Sequence, residues 1–196
     1  MRLFVGLDPT PELRAVLAGA AAVYRAQLGP AQWTLPADLH VTLQFLGEVP
    51  EGQDEVLRRA LAGIQRPPVR LQLAGLGVFP DAQRPRLLWA GVTPSAALDG
   101  LAARVAGALH RIGYRRETRP FLPHLTLARS RSPKSLIGRL PPLATDLPAW
   151  GSFNADALIL FETCPAGAPD LPRYLRRARF PLDTAAAPRT QVFERP

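Results

Sequence analysis

Two stretches of the sequence each set a histidine two residues before a threonine, as HVT at 40–42 and as HLT at 124–126. The apolar residues around them are typical of β-strands, in which residues i and i+2 point to the same face. The chain holds three histidines and ten threonines, and chance would produce both motifs on the order of once in a hundred such sequences. The repeat therefore indicates chemistry.

Two histidines that face one cleft are suited to general acid–base catalysis, because an imidazole titrates near pH 6.5 and can accept or donate a proton. The two threonine hydroxyls can donate hydrogen bonds to phosphoryl oxygens as charge builds up. The pattern predicts a phosphoester site that uses no metal. Zinc binding is the competing interpretation, but zinc needs three or four ligands, and neither motif has a further ligand at suitable spacing. The third histidine, His110, is expected to cap a helix or carry charge.

Strict alternation along a strand assigns each residue near the motifs to one of two faces. On this rule Phe45 belongs to the core and is not a surface for stacking a base. Arg129 lies on the face opposite His124, unless the strand twists or bulges near its end. The expected site face holds His40, Thr42, Gln44, His124 and Thr126, and the expected core face holds Val41, Leu43, Leu125 and Leu127.

The elements that must position these residues alternate between strands and helices. A helix over 10–28 begins with Thr10 as N-cap, and Ser95 can cap a helix over 96–112. The order of helix and then histidine strand occurs twice, which predicts one domain of two related lobes over 1–182 and a loose tail over 183–196. Further helices are predicted at 51–64 and 133–140, and strands at 2–7, 39–47, 69–79, 86–92, 124–130, 153–163 and 173–182.

The composition is that of a globular, basic protein. With 196 residues, 47% hydrophobic and 20% charged, the chain can bury a sizeable core. It has no apolar run long enough for a membrane span, and its first residues predict a strand rather than a signal peptide. The lone Cys164 excludes an internal disulfide, so we expect a soluble, cytoplasmic protein.

The formal charge of +8 indicates an anionic partner such as nucleic acid. Almost all the basic residues are arginine, so base composition of the genome could account for part of the excess. The charge is concentrated in HRIGYRRETRP at 110–120 and RYLRRARF at 173–180, where aromatic residues are interleaved. For either cluster alone, a solvated face is the alternative interpretation.

Three stretches together resemble one known family. MRLFVGLDP at the start, WTLPADLHVTLQFLG at 33–47 and FLPHLTLAR at 121–129 resemble the two-histidine (2H) phosphoesterase superfamily. The likeness is greatest to its RNA 2′,3′-cyclic phosphodiesterases, also described as 2′–5′ RNA ligases. It extends to about residue 182, and it implies an α+β, bilobal fold with pseudo-twofold symmetry, antiparallel sheets lining a central groove and helices outside.

The resemblance also implies a reaction: metal-independent hydrolysis of the 2′,3′-cyclic phosphate of an RNA end or a nucleotide to the 2′-phosphate, without a cofactor. His124 would accept a proton from water, and His40 would donate one to the departing 3′ oxygen. Thr42 and Thr126 would hold the non-bridging oxygens. Arg129 could hold phosphate by a charge-assisted contact or support the site from outside it. The protein would act as a monomer and away from membranes.

Three other functions remain open at the level of the sequence. The chain could bind RNA ends without catalysis, ligate RNA halves through a 2′–5′ bond, or hydrolyse another cyclic nucleotide. The presence of both histidines and both threonines favours an enzyme over a binding protein.

Overall fold

The computed structural model describes residues 1–28, 31–130, 150–165, 171–182 and 191–192. Within these residues the chain forms helices and an antiparallel sheet, which confirms the predicted α+β class. The α-helices are α1 (Pro11–Gln27), α2 (Asp54–Ala62) and α3 (Ala96–Arg111), and a short 3-10 helix spans Pro36–Asp38. The strands are β1 (Arg2–Leu7), β2 (Gln32–Trp33), β3 (Val41–Glu48), β4 (Val69–Phe79), β5 (Leu87–Val92), β6 (His124–Arg129), β7 (Gly151–Ala155), β8 (Ala157–Thr163), β9 (Tyr174–Pro181) and β10 (Gln191–Val192).

The two histidine strands lie side by side in the middle of the sheet. The described strands follow the order β10-β9-β8-β1-β3-β6-β5-β4-β7, and β2 pairs with β6 outside this path. The two halves of the sheet meet between β3 and β6 at one residue pair, Val41 and Leu125. The bilobal shape and its pseudo-twofold symmetry stay predictions.

One large apolar core joins the helices to the sheet. Leu17 of α1, Leu61 of α2 and Leu101 of α3 are fully buried in it, together with Val5 of β1 and Leu125 of β6. A second, smaller cluster holds the residues that alternate with this core, Phe4, Ala157, Ile159 and Phe161. Because successive strand residues point to opposite faces, the smaller cluster lies on the face away from the main core.

Both predicted N-caps are confirmed. The Thr10 hydroxyl accepts a hydrogen bond from the backbone N–H of Leu13 at 3.4 Å, and Ser95 accepts one from Leu98 at 3.2 Å. The prediction for the start of α2 was wrong by three residues, because a turn precedes the helix. Gly52 lies in that turn with φ of 88°, a conformation that favours glycine.

The predicted strand at 153–163 was wrong as a single element. Its first part, β7, pairs with β4, whereas its second part, β8, lies between β1 and β9. The break falls at Asp156, whose carboxylate accepts a hydrogen bond from Arg179 at 2.7 Å. The predicted helix at 133–140 lies outside the described residues. In the C-terminal segment, β10 pairs with β9, and the domain boundary at residue 182 stays a prediction.

Candidate active site

The pairing of β3 with β6 brings the two motifs together. Val41 and Leu125 lie opposite each other and are completely buried in the main core. Their neighbours in each strand therefore point to the other face. The antiparallel sense of the pair sets each histidine across from the threonine of the other strand. These four neighbours are His40, Thr42, His124 and Thr126, and all are half-buried.

Each histidine ring is fixed by the backbone carbonyl two residues before it. His40 Nδ1 lies 2.6 Å from the Asp38 oxygen, and His124 Nδ1 lies 2.8 Å from the Leu122 oxygen. A carbonyl oxygen only accepts hydrogen bonds, so Nδ1 carries the proton in both rings. The Nε2 atom of each ring is left to accept a proton when the ring is neutral and to donate one when it is charged.

Aromatic rings surround His40. The ring of Phe4 lies 4.7 Å from the imidazole, centroid to centroid, and that of Phe161 lies 5.4 Å away. Tyr174 meets the imidazole edge-on at 4.9 Å. These rings come from three strands, β1, β8 and β9, and they limit both the rotation of His40 and its access to water.

His124 has a similar but smaller aromatic support. Phe79 meets its imidazole edge-on at 5.1 Å, and the ring of Trp89 lies 5.9 Å away. The Trp89 ring occupies the space above Gly77, where an added Cβ would lie 2.0 Å from a ring atom. A glycine at position 77 is therefore required to seat Trp89 next to His124.

Burial favours the neutral form of both histidines. It lowers the pKa of His40 to about 4, although the Asp38 carbonyl and the charge of Asp8 act in the opposite direction. Burial also lowers the pKa of His124, again against the effect of its carbonyl partner, Leu122. The positive charge of Arg129 contributes to the lower pKa of both rings. Both histidines thus begin neutral near pH 7.

A β-bulge at Leu43 changes which residues of β3 face the site. The residues on either side of it, Thr42 and Gln44, pair with consecutive residues of β1, so Leu43 is an extra residue. Leu43 and Gln44 are both buried, and alternation resumes one step later, with Phe45 on the face of His40. The predictions that Phe45 belongs to the core and that Gln44 belongs to the site face were wrong.

The exposed ring of Phe45 borders the aromatic cluster of His40. Its side chain is 57% exposed, and its ring lies 5.8 Å from that of Phe4. Phe4 in turn touches His40. The apolar ring of Phe45 is therefore exposed to solvent, and only the ring of Phe4 separates it from His40.

A bulge at the equivalent place in β6 brings Arg129 to the site face. Thr126 and Ala128 pair with consecutive residues of β5, which leaves Leu127 as the extra residue. Leu127 and Ala128 are both buried, and Arg129 is exposed. Arg129 thus points to the same side as His124. This placement explains why the charge of Arg129 lowers the pKa of both histidines. The sequence left two alternatives for the position of Arg129, and the structure shows the bulge.

The architecture and the sequence place the chain in a family. Residues 9–163 match the model of the 2′-5′ RNA ligase superfamily. The chain belongs to this superfamily. It is 33% identical to an RNA 2′,3′-cyclic phosphodiesterase of Geobacillus stearothermophilus over 190 residues, which are 95% of this chain and 59% of that relative. The chain thus spans less than two thirds of that relative's length.

Two solved structures are similar to this chain. The protein TT0787 of Thermus thermophilus superposes with a TM-score of 0.78 at 26% identity, over 93% of this chain and 98% of that one. E. coli LigT complexed with 3′-AMP superposes with a TM-score of 0.75 at 27% identity, over 92% and 97% of the two chains. Both likenesses extend over nearly the whole chain.

One further residue of this superfamily member holds the site in place, and sequence reasoning missed it. The buried carboxylate of Asp38 accepts hydrogen bonds from the backbone N–H groups of Arg173 and Tyr174, at 3.0 and 3.2 Å. Burial raises the pKa of this carboxyl, and those two N–H groups act against the rise. Asp38 thereby ties the carbonyl that orients His40 to the strand that carries Tyr174.

An arginine reinforces the same turn. Arg176 donates to the Ala37 carbonyl at 3.0 Å and binds the Asp8 carboxylate with two nitrogens. The Pro36–Asp38 segment before His40 is therefore fixed by hydrogen bonds to the Asp38 side chain and to the Ala37 backbone. The sequence signal that could have revealed this role is the acidic Asp38, two positions before His40.

The described residues offer no metal centre beside the two histidines. Among them, no three or more His, Cys, Asp or Glu side chains are grouped so that they could hold a metal ion. None of the described helices is long and apolar enough to cross a membrane.

His110 lies at the end of α3 with Nδ1 3.3 Å from the Tyr114 carbonyl, as predicted for a residue at a helix end.

Proposed function

We propose that this protein hydrolyses the 2′,3′-cyclic phosphate of an RNA end or a nucleotide to the 2′-phosphate, with His40 and His124 as the acid–base pair. The observation that carries the proposal is that both histidines meet on one face with Nδ1 held by a carbonyl, so both Nε2 atoms are available to a substrate. The name of the Geobacillus relative supports the substrate class.

In the proposed reaction, His124 Nε2 takes a proton from water as the water oxygen bonds to phosphorus. The bond from phosphorus to the 3′ oxygen breaks, and protonated His40 donates its Nε2 proton to that oxygen. The phosphate stays on the 2′ oxygen. His124 gains one proton and His40 loses one, so the total number of protons on the pair is unchanged. A later exchange of protons with solvent returns both rings to their starting forms.

His40 must be protonated to act as the acid, although its pKa in the free protein is about 4. A bound phosphodiester supplies a negative charge beside it. At about 4 Å and an effective dielectric constant of about 20, the attraction is worth about 4 kcal/mol, which favours the protonated ring. Substrate binding therefore brings the pKa of His40 back toward neutrality and creates the acid where it is needed.

The remaining residues of the site divide the substrate between them. Thr42 and Thr126 donate hydrogen bonds to the non-bridging oxygens, which gain charge as the water attacks. Arg129 supplies a charge-assisted contact to the same phosphate from the end of β6. Phe45, exposed beside the His40 cluster, offers a surface on which the terminal base can stack.

The same proposal covers the setting of the reaction. The site needs neither a metal nor a cofactor, since protons move through the two imidazoles. One chain supplies both histidine strands, so the site is complete in a monomer, and we place that monomer in the cytoplasm. The single domain spans residues 1–182.

The test is to identify the product. We expect the protein to convert 2′,3′-cyclic AMP to 2′-AMP in buffer that contains EDTA, as followed by phosphorus NMR against standards of 2′-AMP and 3′-AMP. Predominant 3′-AMP would contradict the assignment of His40 to the 3′ oxygen. Activity lost in EDTA and restored by a divalent ion would contradict the metal-free mechanism.

A further inference from the structure

A second basic site lies between α2 and α3, away from the two histidines. A cavity of about 250 Å³ is lined there by the residues that follow α2, Gly63–Gln65, and by one face of α3 that includes Arg104, Gly107 and Arg111. Positions 104, 107 and 111 recur at helical spacing, so they share one face of α3. The cavity is therefore a concave surface with arginine on one wall.

Guanidinium groups of α3 and of two neighbouring segments converge on this face. A Cβ atom added at Gly107 would lie 3.9 Å from Arg111 Nη1 and 3.9 Å from Arg116 Nη2. Two turns earlier, a Cβ at Gly100 would lie 3.0 Å from Arg66 Nη2. Four arginines of three different segments thus gather along one strip, which we call the α3 arginine cluster: Arg66, Arg104, Arg111 and Arg116.

The α3 arginine cluster concentrates positive charge on one strip of the described surface. Neighbouring arginines do have acidic partners, Arg59 with Glu55 and Arg119 with Glu117. In the part of the chain that the structure describes, the guanidinium groups of the cluster form no ion pair or hydrogen bond with protein groups. Like charges that converge in this way repel one another, so an anion in the cavity would relieve the repulsion.

A hydrogen bond joins the loop that carries Arg116 to β3. Gln44 Nε2 lies 3.1 Å from the carbonyl oxygens of both Phe45 and Arg115. The loop that carries Arg115 and Arg116 therefore lies beside β3 on the side of the buried Gln44, whereas the Phe45 ring is exposed on the other face. From there Arg116 reaches back to Gly107, so an RNA strand that leaves the active site around the end of β3 meets this loop before the cavity.

We propose that the α3 arginine cluster binds backbone phosphates of the RNA whose cyclic end occupies the active site. This inference rests on the proposed function. The planar guanidinium fork matches two phosphate oxygens, and the exposed arginines can contact a backbone without reading its bases. The terminal nucleotide binds between the histidines and Phe45, and the upstream chain passes around the end of β3 and crosses Arg115 and Arg116 to the cavity.

The experiment compares Arg104→Ala/Arg111→Ala with wild type and with Arg2→Ala/Arg25→Ala, which removes the same charge from exposed positions elsewhere. Alanine preserves the α3 helix, and circular dichroism checks the fold. Affinity is measured by fluorescence anisotropy with an RNA of about ten nucleotides, a typical length for single-strand sites, ending in a 2′-phosphate. We expect roughly tenfold weaker binding for the cluster variant, and a salt slope lower by about 1.4 for two lost contacts.

Turnover of 2′,3′-cyclic AMP is the second readout, and the cluster variant should keep the wild-type rate because a mononucleotide does not reach the cavity. Equal RNA affinity in the cluster and control variants would overturn the inference. So would weaker binding of inorganic phosphate without any change for RNA, which would indicate a site for a free anion. If wild type fails to hydrolyse the cyclic phosphate but RNA affinity still depends on the cluster, the inference stands and the proposed function falls.

Discussion

The two histidine strands use the same backbone plan but end in different chemistry. In both strands, the backbone carbonyl two residues before the histidine holds its ring. The third residue after the histidine forms a bulge, which is Leu43 in β3 and Leu127 in β6. The bulge turns the fifth residue to the site. That residue is Phe45 in one strand and Arg129 in the other, so one strand offers a stacking surface and the other a positive charge.

The surroundings of the two rings differ as well. Three aromatic rings touch the imidazole of His40, and two approach that of His124. Burial is the largest cause of the low pKa in both cases, and for His40 the value falls to about 4. The same strand pattern thus places the two imidazoles in different aromatic surroundings.

Replacement of either histidine tests what the two strands share. His40→Ala and His124→Ala should each reduce kcat/KM for 2′,3′-cyclic AMP by roughly 10²–10⁴-fold, as expected for the loss of an acid or a base. The double variant should lose far less than the product of both effects, because the pair acts as a unit. His110→Ala is the control, and near-normal turnover by either folded single variant would reject the assignment.

Substitutions of Phe45 and Arg129, the fifth residue after each histidine, test the difference between the two strands. Arg129→Gln should reduce kcat/KM by about 10²-fold, because it removes a charged donor from the transition state. Phe45→Leu should raise KM only about fivefold to tenfold, in line with the loss of one stacked base.

A substrate without a base separates the two effects. With ribose 2′,3′-cyclic phosphate, the Phe45→Leu variant should equal wild type, whereas the Arg129→Gln variant should remain impaired. Arg25→Gln, which removes the same charge from α1, is the control. If both substitutions act alike on both substrates, the proposed division of labour between the strands is incorrect.

The support of His124 can be disturbed without touching either strand. Gly77→Ala should lower kcat about tenfold or more, because the added Cβ displaces Trp89 from beside His124 and small misplacements of a catalytic group are costly. Gly19→Ala in α1 is the matched control, since nothing lies within 4 Å of its added Cβ. Unchanged kcat in the Gly77 variant would show that Trp89 does not position the ring.

The low pKa of His40 should also appear in stability. The folded value of about 4 lies below the ordinary value of about 6.5, so the neutral ring contributes stability that is present above pH 6.5 and lost as the pH falls toward 4. In urea unfolding at pH 7 and pH 4.5, the free energy of unfolding should fall less for His40→Gln than for wild type. An equal fall in both proteins would mean that His40 is not held neutral by the fold.

Much of this architecture could be predicted from the sequence, because local signals were strong. Thr10 and Ser95 marked helix starts, and the spacing of each histidine and threonine marked one strand face. The bulge in β3 could not be predicted, since no glycine or proline accompanies Leu43, whereas a bulge in the second histidine strand was one of the alternatives for Arg129. Strict alternation therefore gave the wrong face to Phe45 and Gln44.

The rings around His40 were missed for a different reason. Phe161 and Tyr174 lie more than a hundred residues from His40 in the sequence and meet it only through the order of strands β3, β1, β8 and β9. That order depends on the break at Asp156, which sends β7 and β8 to different parts of the sheet. A single polar residue within an apolar run did not reveal the break.

The pH dependence of kcat/KM for 2′,3′-cyclic AMP, measured in EDTA, tests the acid–base pair most directly. One histidine must be neutral and the other protonated, so we expect a bell-shaped profile whose two limbs belong to the pair as a coupled unit. His110→Ala should leave both limbs in place. A rate that is flat across pH 4–9, or that rises along a single limb without a maximum, would contradict catalysis by His40 and His124.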